Sequence, residues 1–153
     1  MAQKSTLLTR WHRFDARMIH LMRAYGIRAL RVALGVVFIW FGTLKVIGES
    51  PVAELVARTV YWVSPEWFVP FLGVWEIVVG VGLLFGIVLR LTLLLFWLQL
   101  AGTFLVLLVR PEIAFQHGNP FLLTTEGEFV IKNLVLIAGG LAVGGTVSTP
   151  SRR

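Results

Sequence analysis

The amino-acid sequence contains no cysteine, and only 14% of its 153 residues are charged. The lack of cysteine excludes disulfides, zinc–thiolate sites and iron–sulfur clusters held by thiolates. Histidine is scarce as well. His12, His20 and His117 all lie outside the long apolar segments, which excludes a bis-histidine haem within those segments. No glycine-rich phosphate loop and no histidine pair at metal-binding spacing occurs, so no metal site is expected.

Apolar side chains dominate the composition instead. Hydrophobic residues make up 57% of the chain, and its mean hydropathy is +0.82. A soluble domain of this size could not bury so much apolar surface. The apolar residues form four segments: Leu30–Ile47, Phe68–Leu89, Leu91–Val109 and Phe129–Val147. Each has roughly 18–22 residues, enough to cross a bilayer as a helix. The sequence therefore predicts an all-α, polytopic membrane four-helix bundle, with a tight turn at Arg90 between the second and third spans.

The positions of the basic residues predict how the bundle is oriented. One side of the predicted topology carries the N-terminal stretch, the turn at Arg90 and the C-terminal tail with Arg152 and Arg153. Most of the basic residues lie in these three regions. Outside the spans, only Arg58 and Arg110 lie on the other side, where the loops are acidic. The positive-inside rule then places both termini in the cytoplasm of a bacterial inner membrane. The net charge of +6 is therefore interpreted as a signal of membrane orientation rather than of nucleic-acid binding.

The first 27 residues differ from the spans, since they read as an amphipathic helix. Apolar residues recur at steps of three and four, with arginines between them. Such a helix is typical of the membrane interface, so we expect it to lie there as a separate interfacial helix. The residues expected to anchor it are Trp11, Phe14, Arg10, Arg13 and Arg17. The predicted organisation is thus residues 1–27 interfacial, 28–147 the bundle, and 148–153 a cytoplasmic tail. The alternative is an arm that binds a partner or nucleic acid.

Two loop segments carry helix signals. Ser50 followed by Pro51 indicates the start of a short surface helix that extends to Val63. Thr125, with Glu128 three residues later, resembles a capping box that begins the fourth span.

A few polar residues lie within the predicted spans, where charged groups are costly. Lys45, Glu76, Gln99, Lys132 and Asn133 are the members of this set. Several share a helix face with glycines, and small residues mark the sides on which membrane helices contact each other. We therefore expect these five residues to line one ligand pocket in the outer half of the bundle. Glu76 is its only acid and the candidate for proton transfer, with Lys45 or Lys132 as its counter-ion.

Simpler structural roles would also explain these residues. Lys45 and Lys132 can extend to the membrane interface, as long basic side chains do. Glu76 fits a structural ion pair, and Gln99 fits a hydrogen bond between helices. The glycine pairs Gly82–Gly86 and Gly140–Gly144 suit packing within the bundle or between protomers, which leaves a homo-oligomer open.

Three runs resemble a known family. The run RVALGVVFIWFGTLK, from Arg31 to Lys45, resembles the first helix of DoxX-like membrane proteins. The run WEIVVGVGLL, which begins at Trp75, resembles their second helix. The run EFVIKNLVL, from Glu128, resembles the fourth helix in the branch that includes a bacterial reactive-chlorine-resistance membrane protein. The resemblance implies a compact four-helix bundle and a link to quinone-coupled or oxidant-stress chemistry, with a quinone as the candidate cofactor.

Three functional hypotheses follow. The first is an accessory inner-membrane protein that binds a lipophilic or anionic ligand, supports envelope redox or oxidant-stress homeostasis, and contacts a membrane or periplasmic partner. The second is a quinone-linked membrane oxidoreductase subunit. The lack of cysteine and of the Ser-x-Asp ending common in the family argues against direct thiosulfate:quinone activity. The third is a small-solute transporter, which the absence of broken helices and repeated halves disfavours.

Overall fold

The structure, a computed structural model, describes the backbone of residues 2–147 and the side chains of residues 11–147 except Arg13. The tail 148–153 and the side chains of Arg10 and Arg13 lie outside the described part. The long helices are α1 (Ala2–Val46), α3 (Pro65–Phe85), α4 (Leu89–Phe104) and α7 (Thr125–Gly144). The short helices are α2 (Ala53–Thr59), α5 (Val106–Val109) and α6 (Pro111–Ala114), and a 3-10 turn spans Gln116–Gly118.

Four segments are long and apolar enough to cross a membrane: Phe14–Val46, Pro65–Phe85, Leu89–Val109 and Thr125–Gly144. Between residues 2 and 147 the structure is helical with no strand, apart from one isolated bridge between Phe115 and Leu123. The prediction of an all-α, polytopic four-helix bundle is therefore confirmed. We call the end of the bundle with α2 and the start of α7 the α2 end, and the opposite end, with the α3–α4 turn, the hairpin end.

The N-terminal segment is continuous with the first span. The helix α1 is 45 residues long, and no helix end occurs near residue 27, where a boundary was expected. No proline and no strong capping signal interrupts residues 20–35, and a lone Gly26 costs a helix only about 1 kcal/mol. Residues 11–29 are largely exposed. The interfacial position of this segment remains a prediction, but it is not a separate helix.

Two glycine pairs bring α1 and α3 into backbone contact. A Cβ added at Gly42 would lie 2.5 Å from the carbonyl oxygen of Gly73, and one at Gly35 would lie 2.8 Å from that of Gly80. The reverse substitutions meet the same obstacle at 2.6 and 2.7 Å. Glycine therefore permits close backbone contact between α1 and α3 at two positions, as small residues do in membranes.

The turn at the hairpin end is tight, as expected around Arg90. Gly86 ends α3 with φ +70°, and Val88 precedes α4 with φ +40°. Beside this turn, Gly82 lies against the Thr92 side chain. In the core, Gly140 of α7 packs on the ring of Phe96, which also lies 5.0 Å from the ring of Phe38. Gly82 and Gly140 are thus used for packing inside the chain.

The capping of α7 and the start of α2 both differ from the predictions. The side chain of Thr124, rather than Thr125, caps α7 by accepting a hydrogen bond from the Gly127 N–H at 3.0 Å. Thr124 also donates to the Ile113 carbonyl at 2.5 Å, which ties the start of α7 to α6. The helix α2 begins at Ala53 without a side-chain cap, so Ser50 does not cap it.

Candidate functional site

Three polar side chains from three helices meet at the centre of the bundle. The Nζ of Lys45 on α1 lies 2.6 Å from Oε2 of Glu76 on α3, and forms an ion pair with it. The Nε2 of Gln99 on α4 donates to Oε1 of the same carboxylate at 2.7 Å. The Lys45 and Glu76 side chains are only 6% and 11% exposed. We call these three residues the polar triad.

Glycine packing positions the lysine of the triad. Gly73 lies next to Lys45, and a Cβ added to Gly73 would come 2.9 Å from the Lys45 Cβ. The missing side chain therefore leaves room for the base of the Lys45 side chain beside α3. On the other side, the indole Nε1 of Trp75 donates to the Leu95 carbonyl at 3.1 Å, which joins α3 to α4 one turn from Gln99.

The electrostatics of the triad are balanced. Taking two charges out of water is costly, and mutual attraction offsets this cost only where geometry and further hydrogen bonds are good. Here each carboxylate oxygen has a partner, and the pair carries no net charge. The counter-ion of Glu76 is Lys45 and not Lys132. Lys45 is buried within the bundle, which excludes the alternative that it extends to the interface.

A cavity of about 620 Å³ borders the triad at the α2 end of the bundle. All four spans contribute to its wall, and most of the lining side chains are apolar. The helix α2 and its flanks cover it through Val52, Leu55, Val56 and Thr59. Lys45, Glu76, Gln99, Lys132 and Asn133, which the sequence predicted as one pocket, all line this cavity.

Lys132 and Asn133 line the cavity but stay apart from the triad. The Nζ of Lys132 pairs with Glu128 at 3.1 Å, one turn earlier on α7, and both side chains are exposed. The amide of Asn133 donates to the Phe129 carbonyl of its own helix at 3.2 Å. The structure thus brings three of the five predicted residues into contact and places two at the periphery.

The residues predicted to anchor the N-terminal helix show one local contact. Trp11 and Phe14 are exposed, with ring centroids 6.5 Å apart in an edge-on arrangement, and Arg17 is exposed. The side chains of Arg10 and Arg13 lie outside the described part of the chain. Membrane anchoring by these residues remains a prediction.

Sequence reasoning missed the aromatic part of the wall. Phe68, Phe71 and Trp75 line the cavity along one side of α3, and the rings of Phe71 and Trp75 are 5.9 Å apart. Their spacing of three and four residues is typical of one helix face. That spacing was available in the sequence. Among the described residues, no three carboxylate or imidazole groups are close enough to hold a metal ion.

Comparison with known proteins identifies part of the chain. The family model described as DoxX matches residues 26–109, from the spanning part of α1 through α5. The match ends before α7, so the run from Glu128 that resembles one branch of that family lies outside it. No curated protein and no solved structure matches the chain.

Proposed function

Because the chain belongs to the DoxX family, we propose that it is an inner-membrane protein that binds a lipophilic small molecule in the cavity at the α2 end. In this proposal it has an accessory role in envelope redox or oxidant-stress homeostasis. The observation that carries the binding role is the cavity itself, an apolar space of about 620 Å³ with the polar triad in its wall.

The size and chemistry of the cavity support a small-molecule ligand. Ligand sites are typically about 300–1,000 Å³, mostly apolar, with a few well-placed polar groups. The cavity meets each of these criteria, since aromatic and aliphatic side chains surround Gln99, Glu76 and Lys45. The polar triad supplies the few polar groups in a wall that is otherwise mostly apolar.

The proposed orientation in the membrane follows from the distribution of charged residues between the two ends of the bundle. Arg31, beside Gly86, and Arg90 lie at the hairpin end, while Glu54 and Glu126 lie at the α2 end. The positive-inside rule would place the hairpin end and both termini in the cytoplasm, and the cavity in the outer half of the membrane. A membrane or periplasmic partner and a homo-oligomer remain part of this proposal.

A quinone-linked oxidoreductase subunit is the second candidate, and the ion pair at the cavity wall favours it. Reduction of a quinone consumes two electrons and two protons. Glu76 and Lys45 are the buried groups beside the cavity that would pass protons, but Glu76 would have to leave its ion pair to do so. The electrons would come from an external reductant. In this candidate the quinone is the ligand of the same cavity.

Binding is tested by extracting the purified protein and identifying bound lipophiles by mass spectrometry, followed by titration with ubiquinone-1. We expect Gln99→Leu, which removes an amide from the cavity wall, to weaken binding at least fivefold. The matched control is Glu54→Gln, which alters the exposed pair with Arg58 away from the cavity wall and should leave binding unchanged. An empty wild-type protein that does not bind ubiquinone-1 or any extracted lipophile would contradict the proposal.

The oxidoreductase candidate has a separate test. Wild-type protein in liposomes would reduce ubiquinone-1 with thiosulfate or another reductant. The double variant Lys45→Met/Glu76→Gln would bind ubiquinone-1 but lose this reduction. Binding without any reduction in the wild type would contradict the oxidoreductase candidate and leave the binding role intact.

A further inference from the structure

We propose that the cavity is loaded sideways from the bilayer, through an opening between α3 and α4 at Gly102. The occupant would then be a membrane-dissolved amphiphile with a neutral, hydrogen-bonding head near Gln99 and an apolar tail that extends through the opening. This inference rests on the proposed ligand-binding role. It adds the route by which the ligand arrives and the chemical class of that ligand.

The side-chain hydrogen bonds that join α3 to α4 end at the triad. From the hairpin end, Gly82 packs on Thr92, then the Trp75 indole bonds the Leu95 carbonyl, then Glu76 accepts from Gln99. These antiparallel contacts place the next turn of α4, at Gly102, opposite Phe71 on α3. No hydrogen bond between the two helices is present beyond Gln99 in the described part of the chain.

Gly102 faces open space at this level. A Cβ added there would have no heavy atom within 4 Å, although Gly102 lines the cavity. Gly42, Gly73 and Gly140 differ, since a Cβ at each of them would collide with a neighbouring helix. A glycine inside a helix costs about 0.5–1 kcal/mol relative to alanine. Helix packing explains that cost at these three glycines. Gly26 in α1 also faces open space but does not line the cavity, whereas Gly102 does, and an unobstructed opening explains the glycine there.

The rim of the opening is apolar and exposed. Phe71 on α3 is 46% exposed and Leu98 on α4 is 52% exposed, and both line the cavity. Gly102 is eight residues from Arg110 at the end of the span, a depth of about 12 Å. The opening thus lies at the level of lipid chains, where an ion or a water-soluble solute is excluded.

The helix that carries Gly102 also changes geometry there. The Leu105 N–H bonds the Gly102 carbonyl at 3.1 Å, a contact three residues back rather than four. The helix α4 ends at Phe104, and α5 resumes at Val106. A tight 3-10 turn inside a long helix often marks a position that can move. Local adjustment at this turn would widen the opening without disturbing the triad.

The charges near the cavity define the head group. The Lys45–Glu76 pair is neutral as a unit, and Lys132 is paired with Glu128. The side chain of Gln99 donates one N–H to Glu76, so its amide oxygen and its second N–H are available to a ligand. Polar atoms of this kind fit a hydroxyl or carbonyl head better than an anion.

The test uses photo-crosslinking in proteoliposomes. The probe is a 16-carbon alcohol with a diazirine close to the hydroxyl, and the comparator is the corresponding alkyl phosphate. Peptide mapping should find the alcohol attached to cavity residues such as Gln99 and Thr103. We expect Gly102→Phe, which fills the opening, to lower this labelling at least tenfold. Labelling of the lipid-facing Val135, which is 73% exposed, should stay constant.

The matched control is Ala101→Phe, which adds bulk at the neighbouring exposed position and should change cavity labelling less than twofold. Unchanged cavity labelling in Gly102→Phe would overturn the lateral route while leaving the ligand-binding role in place. Stronger cavity labelling by the alkyl phosphate would overturn the neutral head group. A wild-type protein that is labelled on its surface but never in its cavity would overturn both this inference and the proposed function.

Discussion

The buried pair between Lys45 and Glu76 permits a sharp prediction about stability. Glu76→Gln keeps the shape and the hydrogen bond with Gln99, but it leaves the ammonium of Lys45 without its counter-charge. Lys45 is 5% exposed, so little water can reach it to replace the lost carboxylate. Breaking one side of a buried pair costs about 3–5 kcal/mol. We expect a loss of this size in the free energy of unfolding.

Removal of both charges should be far less harmful. In Lys45→Met/Glu76→Gln no unpaired charge remains, and methionine replaces most of the volume of the lysine stem. Replacement of a buried pair by neutral groups of similar volume is often close to neutral. The double variant should therefore be more stable than Glu76→Gln alone, and the double-mutant cycle should give a coupling energy above about 2 kcal/mol.

The assay is SDS titration of the protein in mixed micelles, followed by circular dichroism. The exposed pair of Lys132 and Glu128, with side chains 74% and 57% exposed, provides the control. Its double-mutant cycle, with Lys132→Met and Glu128→Gln, should give less than about 1 kcal/mol, as surface pairs do. Equal coupling energies for the two pairs would refute the reasoning, because burial would then have no effect.

Further predictions concern three glycines and the orientation in the membrane. Gly42→Ala should lower stability by about 1–3 kcal/mol because its Cβ meets the Gly73 carbonyl, whereas Gly102→Ala should raise stability by about 0.5–1 kcal/mol in the same SDS titration. Gly86→Ala should cost about 1–2 kcal/mol because φ is +70°, and a thermal melt that matches the wild type would contradict this. A protease-sensitive tag at the N-terminus should be cut only from the cytoplasmic side, and cleavage from outside intact cells would contradict the proposed orientation.

The spans and their number could be predicted from the positions of the apolar segments along the sequence. Long apolar runs in a chain with little charge have few alternatives to membrane helices. The turn at Arg90 followed for the same reason, since two spans with almost no residues between them must fold back on each other. The continuity of α1 past residue 27 could not be predicted from the amphipathic pattern, because a change of helix face does not end a helix.

The residues of the site could be predicted where the helix face on which a residue lies determines its neighbours. Lys45 and Glu76 share faces with Gly42 and Gly73, and close backbone contact at these glycines brings the two charges together. Lys132 was harder, because Glu128 lies four residues away on its own helix and offers a local partner. The position of α2 over the cavity depends on how the loop folds back, which no helical periodicity encodes.

The paired glycines also make one half of the bundle stiffer than the other. Because the backbones of α1 and α3 touch at two levels seven residues apart, neither helix can rotate or slide without a collision. These two helices therefore form a stiff half of the bundle. The helices α4 and α7 meet the rest through side chains such as Phe96, Leu30 and Leu34, which can change rotamer. If a larger ligand expands the cavity, α4 and α7 must move, because α1 and α3 are held together. Amide hydrogen exchange should therefore rise in α4 and α7 before it rises in α1 or α3.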